Sequence, residues 1–183
     1  MEFFLHEGFE WCVDNFESET FNNGNPIQES KNEVQWRDAA ANRLPTWMWN
    51  SQQNPKFKLY NYYCLKDPRG ILPEDITIPG IKELQSLVNL KNGVLYNPYN
   101  LPSAGYVGLS GSIALEEWGF YWSKSSDGGP AFKYYLSFSE QQNDINPGSD
   151  KLSVGYMLRC RKKTEEELNQ VGWHHGNTKP IKK

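Results

Sequence analysis

Chemistry at a protein site needs groups that move protons, hold metals or attack bonds, and this chain of 183 residues supplies few of them. Its three histidines are His6 and the adjacent pair His174 and His175, all in end segments. Hydrolysis needs a general base beside a nucleophile. Neighbouring side chains diverge, so the pair is a poor chelate, and both ends read as solvated polar segments. The three cysteines, Cys12, Cys64 and Cys160, are odd in number and far apart, which excludes a CxxC redox pair and a cysteine-rich zinc site. They read as buried free thiols acting as small apolar residues, with one disulfide between two of them left open.

The run from Asn143 and Asp144 to Asp150 holds oxygen ligands of the kind calcium takes. Its Asn, Pro, Gly and Asp content is also that of a turn, which is the reading we favour. Trp47, Trp49 and Tyr99 lie in irregular, proline-flanked segments and either form an apolar contact surface or cap the core. Trp47, Trp49, Tyr99, Asn143 and Asp144 are therefore the candidate ligand-binding residues. No catalytic residue, cofactor or metal is expected.

The elements that must position these groups fit one domain over 1–163, followed by a helix start and a flexible tail over 164–183. Apolar residues make up 38 %, with seven Trp, ten Tyr and nine Phe to build the core. The net charge of −3 argues against nucleic-acid binding, which calls for a basic field. The basic cluster Arg159, Arg161, Lys162 and Lys163 runs straight into Glu165, Glu166 and Glu167, and reads as a solvated strand end before a helix. No apolar run approaches the roughly 20 residues of a membrane span, and no signal peptide is visible.

Composition predicts a first strand over Phe9–Val13 and a turn at Asn22–Pro26. A short helix follows over Glu33–Asn42, then a β-prone run over Leu59–Leu65. Ile81, Leu84, Leu87 and Val88 form one stripe of a helix from about Pro79 to Leu90, stopped by Asn92 and Gly93. Alternation then sets in: Phe132, Tyr134, Leu136 and Phe138 mark one strand, and Leu152, Val154, Tyr156, Leu158 and Cys160 another. These two are expected to pair across the turn, with Cys160 pointing inward. The class is α+β, with polar and helical elements first and a twisted antiparallel sheet after them.

Several of these residues carry a resemblance. Leu59-Tyr60-Asn61-Tyr62, Asp67-Pro68-Arg69-Gly70-Ile71-Leu72-Pro73 and Ile78-Pro79 resemble one family's first half. Pro102-Ser103-Ala104-Gly105-Tyr106, Gly111, Gly119-Phe120-Tyr121-Trp122-Ser123 and Ser153-Val154-Gly155-Tyr156-Met157-Leu158-Arg159-Cys160 resemble its second. The family is the Fibrobacter succinogenes major paralogous domain, and the resemblance runs from about Glu10 to Arg161. It implies a C-type-lectin-like fold with one or two packed helices, related to formylglycine-generating enzymes. Gly105, Tyr106, Gly119, Trp122 and Cys160 would then be core residues. The family usually has a Cys before the proline that is here Pro73; this chain has Leu72, so the resemblance implies that Cys160 lacks its usual disulfide partner, with Cys64 open as a substitute.

The expected function is a non-enzymatic binding or structural module for attachment or display. The leading setting is a virion component, such as a bacteriophage fibre, tail or capsid-decoration protein. A bacterial cell-surface binding protein is the alternative, and a formylglycine-generating-type oxidase or a hydrolase stands below both. The Glu-Pro-Asn and Trp-Asn-Asp motifs of calcium-dependent lectins do not occur. Expected partners are a protein or a host surface glycan, with particle assembly and homo-oligomerisation open. No nucleic acid and no membrane span are expected, and the expected location is a virion or cell surface.

Overall fold

The computed structural model describes residues 1–50, 56–126 and 129–173, with side chains to residue 170. Residues 174–183, which include His174 and His175, lie outside the described residues. In chain order the elements are β1 (Phe3–His6), β2 (Phe9–Cys12), β3 (Gln28–Glu29), α1 (Glu33–Ala41), β4 (Thr46–Trp49), β5 (Lys58–Asn61) and α2 (Tyr63–Lys66). There follow β6 (Ile76–Thr77), α3 (Ile81–Leu87), β7 (Asn89–Lys91), β8 (Val94–Tyr96), β9 (Tyr106–Val107) and β10 (Ile113–Ala114). The chain continues through β11 (Gly119–Trp122), β12 (Phe132–Ser139), β13 (Asp144–Lys151), β14 (Gly155–Tyr156), β15 (Arg161–Lys162) and α4 (Glu165–Trp173).

The class is α+β, but strands are spread along the whole chain rather than gathered after the helices. Four sheets have the orders β1-β2-β15-β6, β10-β9-β14-β5-β4-β3, β11-β12-β13 and β7-β8. The named pairings are antiparallel except β3 with β4. No helix among the described residues is long and apolar enough to cross a membrane.

The helices start where polar side chains can hold the free N–H groups. Asn32 caps α1 by accepting from the Gln35 N–H at 3.0 Å. In α3 the Glu83 carboxylate accepts from the Gly80 N–H at 2.9 Å, so the helix begins after Pro79. It ends at Leu87; Leu90 belongs to β7, and Asn92–Gly93 is the left-handed turn of the β7–β8 hairpin, not a helix stop. In α4, Thr164 and Glu167 each accept a hydrogen bond from the other's backbone N–H, at 3.2 and 2.9 Å.

The largest correction concerns residues 143–160. The polar stretch expected to be a turn is the strand β13, which pairs with β12 over eight residues, from Phe132 opposite Lys151 to Ser139 opposite Asp144. It can be a strand because it lies at the edge of its sheet, where Pro147 needs no partner for a missing N–H. The alternating segment 152–160 is mostly irregular. Its period still sorts side chains correctly: Leu152, Val154, Tyr156, Leu158 and Cys160 enter one apolar cluster with Trp122, Phe120 and Tyr60. Met157 enters a second cluster with Trp11, Trp36, Tyr121 and Phe138. The segment is thus buried on both sides.

Arg159 and Arg161, expected to be solvated, are 2 % and 1 % exposed. Arg161 joins three elements. Its Nε and Nη2 donate to Glu83 of α3 at 2.9 and 3.0 Å, and its Nη1 and Nη2 donate to Glu167 of α4 at 2.7 and 3.0 Å. Lys124 adds a further contact to Glu167 at 2.6 Å.

Gly105 shows how closely the layers approach. Its φ of +66° is left-handed, and an added Cβ would meet the Ala114 carbonyl oxygen and the Glu116 backbone. Gly105→Ala is expected to lower stability by about 2–4 kcal/mol, because strain and backbone collision add. Urea denaturation of the purified variant measures this.

Candidate functional site

The expected site residues fall in different surroundings. Trp47 is 3 % exposed in β4, with its Nε1 donating to the Ile27 carbonyl at 3.3 Å, so it packs in the core. Trp49 is half-buried, meets Trp47 edge-on at 5.4 Å, and has the Lys58 ammonium 4.6 Å from its ring centre. It lines a cleft of about 440 Å³ with Met48, Asn32 and Lys56.

Tyr99 stacks on Phe4 at 4.5 Å, and its hydroxyl is 2.6 Å from His6 Nδ1. The Ser86 carbonyl, 3.1 Å from His6 Nε2, can only accept. In the neutral ring Nε2 therefore carries the proton and Nδ1 accepts from Tyr99. His6, expected in a solvated end, is an ordered part of β1. Asn143 closes the neighbouring hairpin, its side chain accepting from the Leu95 N–H and donating to the Gly93 carbonyl. Asp144 accepts from the Ile145 N–H and the Asn146 amide, both at 2.8 Å. Asn143 thus ties the β7–β8 hairpin to the start of β13, and Asp144 holds that strand end through local hydrogen bonds. Among the described residues no group of three or more His, Cys, Asp or Glu is placed to hold a metal.

Of the expected core residues, Trp122 is fully buried with its Nε1 donating to the Tyr60 carbonyl at 2.8 Å. Tyr106 packs on Phe120 and Tyr156 at 5.0 and 6.0 Å. Gly119 is buried against the Phe138 ring, where a Cβ would come within 2.6 Å.

All three cysteines are free and buried. Cys160 and Cys12 lie on neighbouring strand ends, with the Cys12 N–H donating to the Cys160 carbonyl at 3.0 Å. Continuing the pairing of Arg161 with Trp11 sets these two opposite each other. Burial pushes all three thiols up, Cys160 and Cys64 strongly.

The most unusual group is Arg159. Its Nε and Nη2 are buried and have no hydrogen-bond partner, and the nearest ring, Phe4, has its centre 5.8 Å from the guanidinium carbon. Burial works against its charge and pulls its pKa down; Asp14 is among the groups that oppose this. Arg159 lines a cleft of about 630 Å³, a size that suits a small ligand.

Asn15 lies on the same cleft and adds a third unpaired atom, the buried acceptor Oδ1. Its orientation follows from Tyr121, whose hydroxyl donates to the Pro102 carbonyl at 2.9 Å and can therefore only accept from Asn15 Nδ2, at 3.5 Å. Glu2, Asp14, Glu17 and Lys56 supply charge, and Phe16 and Phe57 supply apolar surface.

The chain is an α+β protein with a polar, partly aromatic cleft. No known family model, curated protein or solved structure matches the chain. The sequence reading missed Arg159 because its neighbours Arg161, Lys162 and Lys163 give it the look of a charged strand end. The available signal was its place in the apolar run Val154–Cys160, where a charged residue is out of keeping.

Proposed function

We propose that the protein is a non-enzymatic binding module used for attachment or display, built on a C-type-lectin-like plan and carried by a virion. The carrying observation is Arg159, which lines the larger cleft and whose Nε and Nη2 are buried without a hydrogen-bond partner. Buried donors without partners are rare where stability alone is served, and they concentrate at functional sites. The three free thiols support assembly in a reducing compartment, as for a bacteriophage fibre, tail or decoration protein. The same cleft would serve a bacterial cell-surface protein.

An oxidase reading has one observation in its favour, the adjacency of Cys12 and Cys160. Both thiols are pushed up by burial, which opposes the thiolate that copper ligation requires. The test is binding of labelled protein to bacterial cells and isolated surface polysaccharides, together with metal analysis. Saturable binding without bound copper is expected. Stoichiometric copper that disappears in Cys12→Ser, with no surface binding, would overturn the proposal.

A further inference from the structure

We infer that the Arg159 cleft is an acidic-sugar site, in which Arg159 receives the carboxylate of a saccharide without the help of calcium. The inference rests on the binding-module reading and adds the ligand's chemistry. A guanidinium presents a planar fork of donors that matches a carboxylate. Arg159 lines the cleft, and its Nε and Nη2, closed to solvent and without a protein acceptor, reach a ligand when the side chain turns into the cleft. Beside it, Asn15 Oδ1 is an acceptor that needs an O–H or N–H donor. The ligand therefore carries an anion and a hydrogen-bond donor, as a sugar acid does with its ring hydroxyls.

The charges narrow the choice. The lining holds the cations Arg159 and Lys56 against the carboxylates Glu2, Asp14 and Glu17. Glu17 is partly occupied, since it accepts from the Lys58 N–H at 3.1 Å and lies 3.5 Å from its ammonium. A neutral sugar would leave the guanidinium without an anion, and the second charge of a dianionic phosphate would lie among Glu2, Asp14 and Glu17. A monoanion with hydroxyls satisfies both, its hydroxyls donating to Asn15 and Asp14. Phe16 and Phe57 offer apolar surface to the C–H face of a ring. The volume of about 630 Å³ accommodates one or two sugar units.

The experiment is calorimetric titration of the full chain in EDTA with galacturonate oligomers and N-acetylneuraminate, against galacturonate methyl ester, galactose and D-alanine. Acidic sugars are expected to bind, and the methyl ester, which keeps the ring but not the charge, is expected to bind at least about 10-fold more weakly. Arg159→Met should weaken binding by about 30-fold or more, with Arg159→Lys between the two. Asn15→Ala should weaken it by about 10-fold. Equal binding of ester and acid would overturn the inference, and that comparison needs no variant. Unchanged affinity in a folded Arg159→Met protein, equal affinity for D-alanine, or lack of binding by every acidic sugar would also overturn it. If cells or polysaccharides are still bound in any of those cases, the binding-module reading survives and only the ligand class falls.

Discussion

Arg161→Ala is expected to lower the stability of the protein by about 3–4 kcal/mol, among the largest effects of any single substitution outside the aromatic core. The guanidinium is 2 % exposed and bonds two carboxylates, Glu83 and Glu167, whose side chains are 23 % and 28 % exposed. Its removal leaves two partly buried negative charges facing each other across the junction of α3 and α4.

The same cluster sets the response to acid. Burial opposes the Glu83 charge, but hydrogen bonds from Arg161 and the Gly80 N–H outweigh it and hold the carboxyl below its usual range. Hydrogen bonds from Arg161 hold Glu167 lower still. Both pKa values are depressed in the folded state, so their contribution is full above the unfolded value of about 4.3 and is lost as pH falls through the folded values. Urea denaturation at about pH 7 and about pH 3 should therefore show a marked loss for the parent protein. The loss should be smaller for Arg161→Ala, which no longer has the pairing to lose. An equal acid loss in both would place the acid-sensitive groups elsewhere.

Arg159→Met is expected to act in the opposite direction and raise stability by about 1–3 kcal/mol. The two arginines are two positions apart and equally buried, but Arg159 has unpartnered donors where Arg161 has two carboxylates. An unpaired buried charge is destabilising, and methionine is flexible enough to fill the space. A higher Tm together with lost surface binding would mark Arg159 as retained for a ligand at the expense of stability. A lower Tm would make it a structural residue.

The contrast between these arginines also measures what the sequence can say. The alternation from Leu152 to Cys160 correctly gathers those side chains on one side, because a period of two survives even where regular pairing does not. It cannot say that the other side is buried too, since that depends on α3, β1 and the cleft walls, which are remote in the chain. The helix α1 is legible because its cap, its length and its buried Trp36 are all local. β13 is not, because pairing with a neighbouring strand overrides a composition that favours turns.

Trp47, Trp49 and Tyr99 are visible as aromatic residues. Whether each faces a cleft or a core is decided by partners such as Ile27 and Phe4, far along the chain. The cleft at Arg159 is assembled from residue 1 to residue 159 and has no local motif to find.

The position of β15 has a consequence for how the protein comes to exist. This last strand sits inside its sheet, with β2 on one side and β6 on the other, pairing residue 161 with residues 11 and 77. During synthesis the first hairpin is made early and then waits, one edge unpaired, while nearly the whole chain is translated. The closing contacts span most of the sequence, so loop closure is slow and folding is expected to complete only after the last strand leaves the ribosome. Truncation before Arg161 should therefore yield a chain that aggregates through open strand edges rather than a smaller folded protein.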